Sequence, residues 1–130
     1  MYGLIGKKLG HSFSANFFNQ KFKDENIDEC YKLFPLASIK EFPKLLIENS
    51  DIKGLNVTIP YKEKIIEYLD SLSDEAIDIG AVNVLKFIRE ADNLYIKGYN
   101  TDFVGFRDSV SPLLKEKIIM PLNIKMMLYL

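Results

Sequence analysis

The sequence has 130 residues, of which 48 % are hydrophobic and 27 % are charged, and its formal net charge is −1. This length and balance are typical of one soluble globular domain and exclude a disordered or fibrous chain. The charge argues against nucleic-acid binding, because neutralising phosphates requires an excess of basic residues or a basic stripe.

Hydrophobic periodicity predicts an alternation of strands and helices along the chain. Strands are predicted at residues 2–5, 30–36, 54–58, 82–89 and 94–99. Helices are predicted at residues 14–26, 38–49, 62–69, 73–79 and 100–110. The last two strands flank a polar turn and form a hairpin. This order predicts an α/β fold with three layers, α/β/α, in which helices flank a mainly parallel sheet with one antiparallel hairpin.

Several features indicate the compartment of the protein. Its single cysteine, Cys30, has no partner for an internal disulfide, so a reducing intracellular compartment is the simpler interpretation. The first residues lack the basic and apolar segments of a secretory signal. No apolar run reaches the roughly 18 residues that a membrane span needs. We therefore expect a cytosolic protein without a membrane partner.

Polar side chains gather where the predicted strands end or begin. Ligands of open α/β sheets bind beyond the carboxyl ends of the strands, which makes residues there candidates for a site. Such residues lie in four segments, 10–14, 56–62, 80–83 and 100–102. Their hydroxyls, amides, lysine and aspartate suit a small, polyhydroxylated, anionic molecule, because a cation offsets a carboxylate and amides pair with ligand hydroxyls.

The motifs GLIGKKLGHSFSA, NVTIPYK, GAVNV and NTD include these four segments. In this order they resemble the N-terminal, substrate-binding domain of shikimate dehydrogenases, and the resemblance extends from Tyr2 to about Leu114. It implies an NADP-dependent enzyme that reversibly reduces 3-dehydroshikimate to shikimate, a small-molecule substrate. Ala15 departs from the family, which often has proline there, and this affects the start of a helix more than the ligand contacts.

The resemblance also implies which residues hold the substrate. Ser12 and Ser14 would bind the carboxylate of shikimate. Asn56, Thr58 and Asn83 would position the ring and its hydroxyls. Taken singly, the serines and Thr58 have a plainer interpretation as helix caps. The convergence of four segments favours the functional interpretation.

Lys62 and Asp102 would form the catalytic pair, again by resemblance. When hydride leaves a carbinol carbon the hydroxyl proton must leave too, so a proton acceptor is needed within hydrogen-bond reach. We expect Lys62 in the first turn of a helix, where the helix dipole disfavours its ammonium form and a facing Asp102 favours it. A solvated lysine and a helix-capping aspartate are the plainer alternatives.

The sequence contains no Gly-rich phosphate loop, since no G-x-G-x-x-G motif follows a strand. We therefore expect residues 1–117 to form the substrate-binding catalytic domain and residues 118–130 to begin a nucleotide-binding domain. The cofactor NADP would be bound by that second domain, which the chain lacks, so the chain alone should not transfer hydride. The oligomeric state stays open.

Three alternatives remain at this point. A relative acting on quinate is one, although the serines at 12 and 14 favour shikimate. A binding module for a cyclic hydroxy acid, without catalysis, is the second. A purely structural α/β domain is the third, and it would require the four polar segments to be scattered in space.

Overall fold

The computed structural model describes residues 1–10, 13–91 and 93–110. Within these residues the strands are β1 (Tyr2–Gly6), β2 (Tyr31–Pro35), β3 (Gly54–Val57), β4 (Ser71–Leu72), β5 (Val84–Glu90) and β6 (Asn93–Tyr99). The α-helices are α1 (Phe13–Asp24), α2 (Phe42–Glu48), α3 (Asp74–Ile79) and α4 (Thr101–Val110). Two 3₁₀ helices lie at Ile39–Glu41 and Lys64–Tyr68.

The six strands form one sheet in the order β2-β1-β3-β5-β6-β4. Strand β1 is parallel to both β2 and β3, and β4 is parallel to β6. Strand β5 is antiparallel to its two neighbours, β3 and β6. Five strands of this sheet therefore run in one direction and β5 runs against them. The predicted α/β fold, with a mainly parallel sheet and one antiparallel hairpin, is confirmed.

Helices cover both faces of the sheet. One face carries the main core, in which Ile5, Leu55 and Leu85 from three strands are buried together with Phe42 of α2. The opposite face is covered by α1. The ring of Phe18 in this helix stacks on Tyr31 of β2, with the ring centroids 4.9 Å apart. Helices on both faces give the three layers that the sequence predicts.

Two predicted helices differ in detail from the structure. The segment predicted at 38–49 starts as predicted, with the Ser38 hydroxyl accepting a hydrogen bond from the Lys40 amide. It then divides into a 3₁₀ helix and α2, because Pro43, in the first turn of α2, has no amide hydrogen to extend the earlier turn. The segment predicted at 62–69 is a short 3₁₀ helix that begins at Lys64. Lys62 therefore precedes a helix and does not lie in its first turn.

Strand β4 was not predicted, because an alternation of period two cannot be recognised over two residues. Backbone hydrogen bonds to β6 define it on both sides. The amide of Asp70 donates to the carbonyl of Ile96 at 3.0 Å, and the amide of Ser73 donates to that of Gly98 at 2.9 Å. The strand therefore exists through its pairing with β6.

An asparagine side chain covers part of the exposed edge of β2. The Asn19 Nδ2 donates to the carbonyl of Tyr31 at 2.9 Å, and the Asn19 Oδ1 accepts from the Tyr31 amide at 2.8 Å. The side-chain amide of Asn19 in α1 thereby makes the two hydrogen bonds that a neighbouring strand would make at this position. Such cover protects an edge whose unpaired backbone groups would otherwise be open to pairing with another chain. It also holds the backbone of Tyr31 in place.

Glu29 joins two cations at the amino end of the sheet. Its carboxylate pairs with Lys53 Nζ and with the amino group of Met1, the latter at 2.7 Å. These partners hold the pKa of Glu29 below its ordinary value of 4.5, and the hydrogen bond from Lys53 has the largest effect. Because the folded-state pKa is lowered, the ionised pair stabilises the fold above pH 4.5, and this stabilisation is lost as the pH falls through the folded value.

We expect Glu29→Gln to reduce the acid sensitivity of the fold. Urea unfolding between about pH 3 and pH 6 measures this, since the unfolding free energy of the wild type decreases below the ordinary carboxyl pKa. The Gln variant should show a shallower decrease. Glu48→Gln is the control, because Glu48 forms an exposed pair with Lys44 at 3.6 Å. Equal acid slopes in Glu29→Gln and the wild type would contradict the assignment.

Candidate active site

The topology brings the polar segments together at the carboxyl ends of the parallel strands. This end of the sheet is called the polar edge below. Strands β1, β3 and β6 end at this edge, and β5 begins there because it runs in the opposite direction. Backbone hydrogen bonds connect the segments directly. The amide of Thr58 donates to the carbonyl of Ile5 at 3.0 Å, that of Val57 to Asn83 at 2.8 Å, and that of Asn83 to Tyr99 at 3.0 Å. Segments 56–62, 80–83 and 100–102 are therefore adjacent, and not scattered as a purely structural domain would require.

Lys62 and Asp102 form an ion pair at this edge although 40 residues separate them. The distance from Lys62 Nζ to Asp102 Oδ2 is 2.7 Å. The lysine side chain is 12 % exposed and the aspartate side chain 46 %. A lysine side chain that is mostly shielded from water, paired with a carboxylate that solvent and small molecules can reach, is an arrangement that can hold and exchange a proton.

The backbone at Lys62 is held from both sides. The carbonyl of Lys62 accepts a hydrogen bond from the amide of Val82 at 2.8 Å. The preceding residue, Tyr61, is buried, and its hydroxyl donates to the carbonyl of Leu36 at 2.6 Å. The backbone from which the Lys62 side chain extends is thus held in place, although Lys62 lies in a turn.

Two buried asparagines fix the start of α4 and with it Asp102. The Asn83 Oδ1 accepts from the Thr101 amide at 2.9 Å, and its Nδ2 donates to the Thr101 hydroxyl at 3.0 Å. The Asn100 Oδ1 accepts from the Phe103 amide at 3.1 Å, which caps the helix, and its Nδ2 donates to the carbonyl of Ala81. Both the oxygen and the nitrogen of the Asn83 side chain are thus hydrogen-bonded to Thr101. That Asn83 also contacts the ligand stays a prediction.

Sequence reasoning singled out Asp102 in this segment but not the supporting role of Asn100 and Thr101. The available signal was their position, directly after a predicted strand and at the start of a predicted helix, where polar side chains bind free amide groups. That signal shows that both residues are capping candidates. It does not show that Thr101 bonds to a residue 18 positions earlier in the chain.

Asn56 and Thr58 lie at the end of β3. The Asn56 Oδ1 accepts a hydrogen bond from the Tyr31 hydroxyl at 2.7 Å. Thr58 is partly buried and is adjacent to Gly6, where an added Cβ would come within 2.5 Å of the threonine Cγ2. Position 6 therefore needs glycine for Thr58 to keep its place.

The predicted serines are placed only in part. Ser14 lies in the first turn of α1, which follows the carboxyl end of β1, and its side chain is partly buried. Ser12 lies outside the described residues. None of the hydrogen bonds within the described part of the chain joins Ser14, Asn56 or Thr58 to the Lys62–Asp102 pair, so their shared role rests on position at the same edge.

The described residues do not fit a dinucleotide. Binding a pyrophosphate in such folds requires a Gly-rich turn between a strand and a helix. Gly6 is the last residue of β1 and Gly10 follows this strand, but their spacing does not match that motif. In residues 1–10, 13–91 and 93–110, no group of three or more His, Cys, Asp or Glu residues is placed to hold a metal ion. No helix in these same ranges has the length and apolar content to cross a membrane.

The sequence profile of the shikimate dehydrogenase substrate binding domain matches residues 4–85 of this chain. The chain belongs to this family. The match includes the positions of Asn56, Thr58, Lys62 and Asn83. Asp102 lies beyond the match, and the structure places it against Lys62 in this shikimate dehydrogenase domain.

Known shikimate dehydrogenases are similar to this chain in sequence and, where solved, in structure. The shikimate dehydrogenase (NADP(+)) of Clostridium beijerinckii is 53 % identical over 108 residues, which are 81 % of this chain and 38 % of the relative. The solved structure of shikimate dehydrogenase 1 from Peptoclostridium difficile is 42 % identical, with a TM-score of 0.71, and covers 85 % of this chain and 40 % of that one. That of the Thermus thermophilus enzyme in complex with shikimate is 27 % identical, with a TM-score of 0.72, and covers 85 % and 41 %.

The chain therefore spans about two fifths of the length of these shikimate dehydrogenases. The family profile matches residues 4–85, which run from β1 into β5.

Proposed function

We propose that this chain is the substrate-binding half of a cytosolic, NADP-dependent dehydrogenase that reversibly reduces 3-dehydroshikimate to shikimate. The observation that carries the proposal is the Lys62–Asp102 pair at 2.7 Å, at the polar edge of the sheet, in a chain of the shikimate dehydrogenase substrate binding domain family. The C. beijerinckii relative is named for this activity with NADP(+), and the T. thermophilus relative was solved with shikimate.

The proposed substrate matches the chemistry of the edge. Shikimate combines a carboxylate with ring hydroxyls. Ser14, in the first turn of α1, and Ser12, which lies outside the described residues, are proposed to bind the carboxylate through their hydroxyls. Asn56, Thr58 and Asn83 are proposed to position the ring hydroxyls. The partial burial of Ser14, Asn56 and Thr58 supports this, because such side chains are shielded from bulk water yet accessible to a small molecule.

Lys62 is proposed to hold and move the proton of the reaction. In the reducing direction, NADPH bound outside the described residues would supply the hydride, and an electron pair of the substrate's carbonyl bond would move to the carbonyl oxygen. The Lys62 ammonium donates its proton to that oxygen and stabilises the charge that develops there. In the oxidising direction the neutral amine takes the hydroxyl proton. Asp102 orients Nζ through the 2.7 Å bond, and its half-exposed carboxylate connects the pair to solvent.

NADP itself is proposed to bind to the part of the enzyme that this chain does not span, because the described residues do not fit a dinucleotide. The titration that follows tests the quinate alternative. The binding module without catalysis is tested by an activity assay with NADP on the enzyme completed by its second half, since a mere module would bind shikimate without supporting its oxidation.

Calorimetric titration of this chain with shikimate tests the proposal. We expect binding at one site, because the residues assigned to the substrate all lie in this chain. Cyclohexanecarboxylate is the control ligand and should bind more weakly, since it lacks the ring hydroxyls that Asn56, Thr58 and Asn83 would contact. Binding of quinate in preference to shikimate would favour the quinate alternative. Absence of binding to either would overturn the proposal.

A further inference from the structure

We propose that Tyr31 is a positioning residue, which fixes the side-chain amide of Asn56 so that its nitrogen, and not its oxygen, is available to the ligand. This inference rests on the proposed function for the identity of the ligand. Tyr31 is not among the residues that the sequence motifs indicate, and it touches neither Lys62 nor Asp102 through any hydrogen bond within the described residues.

The hydrogen bond between Tyr31 and Asn56 crosses over strand β1. Tyr31 lies on β2 and Asn56 on β3, and β1 lies between these two strands. The Tyr31 hydroxyl donates to the Asn56 Oδ1 at 2.7 Å. The tyrosine is 5 % exposed, whereas Asn56 is partly buried at the end of its strand. The buried Tyr31 hydroxyl therefore binds the oxygen of the Asn56 side-chain amide and leaves its nitrogen without a bond to Tyr31.

The direction of this hydrogen bond follows from the surroundings of Tyr31. A phenol can donate or accept, but burial raises the pKa of Tyr31 to about 12, so the hydroxyl keeps its proton at neutral pH. If it accepted from Asn56, its own proton would be buried without an acceptor, since no other hydrogen bond of this hydroxyl is found within the described residues. Donation to Oδ1 satisfies the phenol. It directs the Asn56 Nδ2 away from Tyr31.

Tyr31 is itself held firmly enough to act as a fixed point. Its backbone amide and carbonyl are both bound by Asn19, at 2.8 and 2.9 Å. Its ring stacks on Phe18 with an angle of 17° between the planes. Asn56 is fixed in turn by strand pairing, opposite Leu4 on one side and Val84 on the other. Support of this kind restricts the rotamer of a binding residue.

The consequence concerns the ligand group that Asn56 can recognise. Among the described residues, no acceptor is hydrogen-bonded to the Asn56 Nδ2. Its two hydrogens are therefore free for a ligand oxygen, such as a ring hydroxyl or a carboxylate. An amide without the tyrosine could rotate and present its oxygen instead. Tyr31 thus favours a ligand with an oxygen acceptor at this position over one with an amino group.

Tyr31→Phe tests the inference, because it removes the hydroxyl and keeps the ring on Phe18. In shikimate titrations of this chain we expect affinity to fall about 5- to 10-fold, the range of one lost hydrogen bond. Tyr2→Phe is the matched control. Tyr2 also packs against α1, 5.8 Å from Phe22, and no hydrogen bond of its hydroxyl is found in the described part of the chain. Its affinity should equal that of the wild type.

A double-mutant cycle separates positioning from a merely structural role. In the Asn56→Ala background, Tyr31→Phe should cause no further loss of affinity, because the group that it positions is gone. An equal loss in both backgrounds would overturn the inference. If Tyr31→Phe does not fold, Asn56→Asp replaces it, since Asp keeps the bond from Tyr31 but has no hydrogens to offer. Full affinity in that variant would also overturn the inference.

A measurement without ligand keeps the inference independent of the proposed function. Nitrogen-15 relaxation of the Asn56 side-chain amide should show restricted motion in the wild type and in Tyr2→Phe, and increased motion in Tyr31→Phe. If the wild type does not bind shikimate, the proposed function fails, and this relaxation measurement alone decides the positioning role. Unchanged motion in Tyr31→Phe would overturn it.

Discussion

We expect replacement of Lys62 by alanine to lower kcat by roughly 10²- to 10⁴-fold, the range for loss of a general acid–base group. The enzyme for this experiment joins the present chain to the C-terminal remainder of the C. beijerinckii relative, so that both halves of a shikimate dehydrogenase are present. The KM for shikimate should change far less if, as proposed, other side chains hold the substrate and Lys62 acts mainly on the transition state. Steady-state rates of shikimate oxidation with NADP measure both constants.

Lys64→Ala provides the control for this experiment. Lys64 lies two residues further along, is exposed, and takes part in no ion pair within the described residues. Its replacement removes the same charge from the same region and should leave kcat unchanged. A Lys62→Ala enzyme with the turnover of the Lys64→Ala enzyme would remove Lys62 from the mechanism.

Phe42→Ala should destabilise the fold by roughly 3–5 kcal/mol, the range for removing a fully buried aromatic ring. Phe42 is 1 % exposed, lies in the main core, and its ring meets that of Tyr68 edge-on at 5.8 Å. Alanine leaves a cavity between α2 and the sheet that rigid neighbours fill only in part. Urea unfolding at neutral pH measures the change in unfolding free energy.

Phe13→Ala is the matched control for the core. Phe13 has the same side chain but is 80 % exposed, so its removal should change the unfolding free energy by less than about 0.5 kcal/mol. If Phe42→Ala is unfolded under all conditions, Phe42→Leu should fold with an intermediate loss. Equal stabilities of Phe42→Ala and Phe13→Ala would show that the core described above does not hold the domain together.

The arrangement around Asp102 explains how a half-exposed carboxylate can keep a defined position. Its own contact with Lys62 is a single ion pair in which the carboxylate is half-exposed, and a pair that solvent can reach contributes little to stability. The position is set by its neighbours, because Asn83 and Asn100 bind the backbone on either side of it from buried positions. The site therefore depends on side chains that need not touch the substrate.

Much of this architecture could be predicted from local sequence patterns. Alternating and continuous apolar runs located β1, β2, β3, β5 and β6, because each of these strands is long enough to show its pattern. The serines at 38 and 73 marked helix starts, and both accept a backbone hydrogen bond there. The edge shared by Lys62 and Asp102 followed from the rule for strand ends and from the family motifs. Family membership and the α/β fold are confirmed, whereas the catalytic roles stay predictions.

Other features were decided by the tertiary structure. Strand β4 exists through its pairing with β6, and the bond from Tyr31 to Asn56 exists because strand order places β2 and β3 on either side of β1. The physical reason is the range of the interactions. Periodicity and capping act over a few neighbouring residues, and a sequence displays them directly. Contacts between residues 25 or 40 positions apart depend on strand order and register, which form only when the whole sheet assembles.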